Sequence, residues 1–314
     1  MRTLFHPEFI TRFLVSTLAI CEICAISLPQ EYDYEHDDDE DLGLERPENL
    51  EERTTSGPEK KDKFLNLSGL NTCGLRSIGQ ETFPTNKTFQ TQFGDSPWMA
   101  AIYADGIYVA AATLIRNDVV ITAAYPIKNT PEDQISVVAG DWDRLRTVES
   151  KPHYSRGVRS ILIHEQLALF LLDAPFFGTH ISPICLPLQE SVFIEESCRT
   201  IGWGQPSQSL SLTNQSDILW FRNYAVMTRE DCRAELPPES YSDTNILCGA
   251  DLFNEFSPHN VGGGLFCFVG RYVLAGLALS GKDWEPDTRP ALFLNISPYV
   301  DWIKDELVLR NFTL

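Results

Sequence analysis

The sequence predicts an all-β fold, and three observations carry that reading. After residue 93 the chain of 314 residues breaks into many short apolar, β-branched and aromatic runs separated by turn signals. One stretch alone, 298–309, has the i, i+3, i+4 apolar spacing of a helix, through Val300, Ile303 and Leu307. No internal repeat of fixed period interrupts this pattern, which leaves a β-barrel or a sandwich. With 43% hydrophobic and 22% charged residues, the chain has the material for a sizeable core.

The segments follow in order. Arg2 and Arg12 precede an apolar run from Phe13 to Cys21 and then the small residues Ala25 and Ser27, the layout of a secretory signal peptide over 1–27. The alternative, a signal anchor, needs about 20 consecutive apolar residues. Residues 28–72 form an acidic segment expected to be disordered. Within it, 31–53 holds twelve acidic residues against Arg46 and Arg53, a net charge of −10 out of −19 for the chain. Such a stretch cannot bury enough apolar surface to offset its ordering entropy. It reads as a solvated spacer, with Tyr32 and Tyr34 as sulfation candidates. A linker, 73–88, leads to a domain over 89–314. There, 98–103 and 107–115 read as a hairpin about Asp105-Gly106. Further strands are expected at 119–124, 135–138, 160–163, 168–172, 199–203, 220–226, 265–269, 272–279 and 291–296.

Charge and cysteine content narrow the function. No block of Lys and Arg is present to track phosphates, which argues against nucleic acid or an anionic membrane as partner. Cys21 and Cys24 leave with the signal peptide, so six cysteines remain: Cys73, Cys185, Cys198, Cys232, Cys248 and Cys267. An even number in a secreted chain reads as three disulfides, with fifteen pairings open. The sequons at Asn66, Asn86, Asn214, Asn295 and Asn311 agree with passage through an oxidising compartment and are the expected glycosylation positions. After the signal peptide there is no C-x-x-C pair and no His-rich helix, so neither a metal nor a cofactor is expected.

Several motifs then occur in one order. They are Gly94-Asp-Ser-Pro-Trp98-Met, Thr113-Leu-Ile, Thr122-Ala-Ala, Leu167-Ala-Leu, Pro183-Ile-Cys185-Leu-Pro, Gly202-Trp203-Gly204, Cys248-Gly-Ala, Gly262-Gly263, and Tyr299 with Trp302-Ile303. This series resembles the chymotrypsin-like serine proteases from about residue 89 to the C-terminus. The Cys73-Gly-Leu-Arg segment resembles that of arthropod secreted proteases and their homologs. The resemblance implies two packed six-stranded antiparallel β-barrels with a C-terminal helix, and the pairs Cys73–Cys185, Cys198–Cys267 and Cys232–Cys248.

The resemblance also implies where catalysis would sit, and there the residues are wrong for it. Acyl transfer needs a nucleophile, a His to deprotonate it, a carboxylate to hold the His and amides for the oxyanion. The His position after Thr-Ala-Ala is Tyr125, whose phenol, with an ordinary pKa of about 10, is a poor base near neutrality. The carboxylate position is Gln166. The nucleophile position is Val261, which has no heteroatom to attack with. His259 replaces a glycine of the oxyanion hole, Asn260 replaces the Asp that pairs with an activating amine, and Glu255 falls at the base of the specificity pocket. These three form a degenerate pocket, a candidate for binding only. His259 and His164 read as surface or strand-end residues. Ala110, Pro126 and Ser257 stand where the family has further disulfide cysteines.

The expected function is that of a secreted, catalytically inactive serine protease homolog. It would bind an extracellular protein, such as an active serine protease or its zymogen substrate, as cofactor, decoy or regulator of a protease cascade in arthropod immunity or clotting. Two other classes stand beside it: an active endopeptidase with substituted site residues, and a structural or adhesive extracellular protein.

Overall fold

Strand pairing resolves the choice between barrel and sandwich. The computed structural model describes residues 64–67, 72–77, 89–145, 149–194, 196–203, 217–236, 245–251, 262–279 and 290–312. All belong to the second of the two units into which the chain divides, Met1–Pro58 and Glu59–Leu314. The expected signal peptide and the acidic run 31–53 therefore lie outside the described residues.

The elements are β1 (Phe64–Leu65), β2 (Met99–Ala104), β3 (Ile107–Arg116), β4 (Val119–Ala123), β5 (Ile135–Ala139), β6 (Tyr154–His164), β7 (Leu167–Leu172), β8 (Leu186–Pro187) and β9 (Ser197–Gly202). They continue with β10 (Trp220–Val226), α1 (Arg229–Glu235), β11 (Ile246–Asp251), β12 (Gly264–Phe268), β13 (Tyr272–Ala278), β14 (Ala291–Asn295) and α2 (Val300–Leu309). One closed barrel has the order β2-β3-β4-β7-β6-β5 and a second β10-β11-β14-β13-β12-β9, six antiparallel strands each. β1 and β8 pair separately. Closure leaves no open sheet edge in either barrel.

Local chemistry explains the elements. Asp105 and Gly106, at φ 48° and 77°, both take the left-handed turn conformation that matches strand twist, so the β2–β3 hairpin forms where the sequence places Asp-Gly. β4 and β7 are buried at every position, and they pair directly, Val120 opposite Phe170 and Thr122 opposite Ala168. Continuous apolar strands of this kind are covered on both faces. β10 instead alternates, with Trp220, Arg222, Tyr224 and Val226 buried and Phe221, Asn223 and Ala225 partly exposed.

The structure joins Cys73 to Cys185, Cys198 to Cys267 and Cys232 to Cys248, the pairing that the resemblance implies. Cys198 and Cys267 lie opposite each other on β9 and β12. The Cys73–Cys185 bond fastens the 72–77 segment to the second barrel. Gly74 donates its N–H to the Pro183 carbonyl at 2.9 Å and accepts from Tyr272 N–H at 3.0 Å.

Three expectations need correction. Residues 64–67 lie in the stretch expected to be disordered, yet Phe64 and Leu65 form β1 on β8 and Leu67 is fully buried, because these apolar side chains reach the barrel surface. α2 is not alone among helices: α1 is also helical, capped by Thr228, whose Oγ1 accepts from Asp231 N–H at 3.1 Å, and tied to β11 through Cys232. β6 starts at Tyr154 rather than residue 160, and none of its residues is fully buried, so its first half carries no hydrophobic alternation to read.

Candidate functional site

The residues around the expected catalytic positions come together at the end of β4. Tyr125 opens a 3-10 turn, Tyr125–Ile127, just past β4, and its side chain is 70% exposed. Gln166 precedes β7 and is also exposed. The Ala124 N–H donates to the Gln166 carbonyl at 2.8 Å, extending the β4–β7 ladder by one bond beyond the Ala123–Leu167 pair. These two chain positions are therefore neighbours across a backbone hydrogen bond.

The loop holding Gln166 is anchored from the C-terminal side. Glu165 has φ 55°, and its carboxylate accepts a hydrogen bond from Tyr299 Oη at 2.6 Å. His164, the last residue of β6, stacks on Trp302 with ring centroids 4.8 Å apart and meets Tyr299 edge-on at 5.7 Å. It is a packing residue that ties the loop to α2.

The third segment arrives at the same place. Gly262 is buried with φ 75°; a Cβ there would collide with Thr122 Oγ1 and lie 2.6 Å from the Ala111 carbonyl oxygen. Thr122 itself donates to that carbonyl at 2.8 Å. Across the turn, Ala278 N–H donates to the Gly263 carbonyl at 2.8 Å. Gly262 is thus wedged between the first barrel and β13, and only a residue without Cβ fits. Val261, His259, Asn260 and Glu255 lie outside the described residues, as do Asn86, Asn214 and Ser257. Ala110 is buried in β3.

Tyr125 and Gln166 present a phenol and an amide where the resemblance expects an imidazole and a carboxylate. The groups with displaced titration gather elsewhere, about the β2–β3 hairpin and the segment after β5. Burial raises the Tyr108 phenol strongly and the Tyr103 phenol as well. The Arg144 guanidinium lies 4.2 Å from the Tyr108 ring centre. Burial raises the Asp141 carboxyl and moves that of Glu149 up to about 7. His180 is lowered by burial; its Nε2 lies 3.0 Å from the Pro152 carbonyl oxygen, and its ring stacks on Phe93 at 5.6 Å. Among the described residues, Asp141, Glu149 and His153 are the side chains whose metal-ligating atoms come together. Sequence reading passed over this group, because loop residues at these spacings match no helical or C-x-x-C signature.

Of the sequons, Asn311 is exposed just past α2, whereas Asn295 is part of β14 and accepts at its Oδ1 from Ser297 N–H at 3.1 Å. Asn66 is half-buried beside β1. Among the described residues no helix is long and apolar enough to cross a membrane.

Comparison with known proteins agrees with this architecture. The sequence model of the family described as trypsin matches residues 85–303. The Anopheles gambiae protein named Inactive CLIP domain-containing serine protease A8 is 27% identical over 260 residues, covering 74% of this chain and 70% of that protein. The Drosophila melanogaster protein Inactive serine protease scarface is 26% identical over 260 residues, covering 79% of this chain but only 37% of its own length. Phenoloxidase-activating factor 2 of Galleria mellonella is 26% identical over 275 residues, covering 77% of this chain and 88% of that protein. On the match to the family and the two closed barrels, the chain belongs to the trypsin family, as a protease-like, non-catalytic member with relatives named inactive serine proteases.

Proposed function

We propose that this chain is secreted and acts by binding an extracellular protein, as cofactor, decoy or regulator within a protease cascade, without cleaving it. The observation that carries the reading is the site at the end of β4. The backbone scaffold there is the Ala124–Gln166 hydrogen bond and the wedged Gly262, and the resemblance puts Tyr125 and Gln166 at the base and carboxylate positions and Val261 at the nucleophile position. A fold kept without its chemistry suits recognition. The disulfides agree with an oxidising compartment. The names of the relatives, one of them a factor for activating phenoloxidase, supply the cascade as context.

The partner is an active serine protease or its zymogen substrate. The acidic run 31–53 is the contact element for a cationic surface on it, since solvated like charges speed encounter with an opposite surface. Affinity capture with the full secreted chain, followed by titration of the captured protease, tests this. The reading predicts a stoichiometric complex and an altered turnover of that protease on its own substrate. Deleting 31–53 should weaken binding at low salt far more than at high salt. Capture of structural matrix proteins with no effect on any protease would favour the adhesive alternative.

A further inference from the structure

The second barrel carries an arginine set between aromatic rings on its partly exposed face. Cys198 and Thr200 of β9 are buried, so the alternation of the strand leaves Arg199 between them facing outward. β9 lies between β10 and β12 in the barrel order. The Arg199 guanidinium carbon sits 5.2 Å from the ring centre of Phe221 on β10 and 5.6 Å from that of Tyr272 on β13. Tyr272 meets Phe268 of β12 edge-on at 5.2 Å, and Phe268 is 53% exposed. The rings stand on a rigid base. Tyr272 N–H donates to the Gly74 carbonyl at 3.0 Å, its ring packs on the buried Trp98 at 5.3 Å, and Phe89 meets Phe221 edge-on at 6.0 Å.

Arg199 keeps its charge at any physiological pH and offers five N–H donors in one plane. Among the described residues it has the two ring contacts, but no hydrogen bond and no ion pair. The rings fix where the cation stands and supply no acceptor oxygen, so the donor fork is positioned before anything binds and loses little entropy when it does. Arginine beside tyrosine and phenylalanine is also the composition of binding hot spots. Charge then selects the occupant. The fork matches a carboxylate, and the exposed Phe268 ring suits an apolar neighbour of that carboxylate. A nucleic acid or other polyanion does not fit, because tracking it takes many cations and this chain has a net charge of −19. We propose that Arg199, Tyr272, Phe221 and Phe268 form a docking surface for a segment of a partner protein that carries one Asp or Glu beside an apolar or aromatic residue. The surface belongs to the second barrel, whereas Tyr125 and Gln166 flank β4 and β7 of the first, and it operates whether or not the partner is a protease.

The test is panning of a phage-displayed library of random linear peptides on the full chain. Enriched peptides should carry an acid next to an apolar residue, and synthetic copies should bind the Arg199→Gln chain about tenfold or more weakly than the parent. Arg199→Lys should not rescue them, since an ammonium lacks the fork, and Phe268→Ser should weaken the same peptides. Both side chains are partly exposed, so these variants keep the fold, which an unchanged melting temperature verifies. Replacing the peptide's acid by its amide repeats the test on the unaltered chain and should cost as much. Peptides enriched without an acid, binding insensitive to Arg199→Gln, or no enrichment over an unrelated control protein overturns the proposal. So does sedimentation in which the parent chain self-associates and Phe268→Ser restores the monomer, because the occupant is then a second copy.

Discussion

Removing the Cys73–Cys185 bond is the perturbation whose size the structure fixes best. The bond closes 112 residues of sequence, against 69 for Cys198–Cys267 and 16 for Cys232–Cys248. In the chain-entropy treatment these loops are worth about 4.8, 4.4 and 3.1 kcal/mol at room temperature. In the Cys73→Ala, Cys185→Ala double variant the 72–77 segment still keeps its native hydrogen bonds. Gly74 still bonds Pro183 and Tyr272, and Arg271 Nη1 still donates to the Cys73-position carbonyl at 3.0 Å. The loss is therefore chiefly the entropy released to the unfolded chain. At roughly 2–4 °C per kcal/mol for a domain of this size, the melting temperature should fall by about 10–20 °C. The Cys232→Ala, Cys248→Ala pair should lose about 1.7 kcal/mol less. Scanning calorimetry of the three double variants reads the order directly. A short-loop variant less stable than the Cys73–Cys185 variant, or a fall under about 5 °C for the latter, would refute the reasoning.

Other predictions rest on single sites. Gly262→Ala forces a side chain into a left-handed backbone and against Thr122, and should cost roughly 1–3 kcal/mol; an unchanged thermal melt would show that the wedge yields. His180 is held neutral by burial, with its pKa below the ordinary 6.5. The folded state thus binds its proton less readily than the unfolded chain, and stability present above pH 6.5 is lost as pH falls below it. His180→Gln should flatten denaturation midpoints between pH 7 and 5, and an unaltered slope would contradict the assignment. Restoring Tyr125→His, Gln166→Asp and Val261→Ser together should still give no trypsin-like peptidase rate in a chromogenic assay, because Asn260 cannot pair with an activating amine; a rate near that of an active relative would sink this.

Much of the fold was legible because its signals are local. Asp105-Gly106 specifies its own turn, and the continuous apolar runs that became β4 and β7 are short and bounded by turn signals, as buried strands are. What escaped was structure made by tertiary contact. α1 has seven residues and buries Cys232, too little for a helical period to register. β1 and β8 have two residues each and exist because the chain crosses the second barrel there. The first half of β6 is held by pairing with β5 rather than by an apolar face. Near the site, Thr122-Ala-Ala and Leu167-Ala-Leu, the motifs that flank Tyr125 and Gln166, pair with each other across β4 and β7. The Asp141, Glu149 and His153 group was not legible, because three loop residues converge only once β5 and β6 are paired.

The central claim is that a trypsin-family scaffold persists here without its chemistry. The most direct measurement is fluorophosphonate labelling of the purified full chain, with ester and casein hydrolysis followed in parallel against a heat-killed control. Loss of a single triad member costs on the order of 10⁴–10⁶ in rate, and a chain that lacks all three, as the resemblance implies for Tyr125, Gln166 and Val261, should leave nothing above the control and no covalent label. Stoichiometric labelling, or hydrolysis that rises with protein concentration and is blocked by the label, would contradict it.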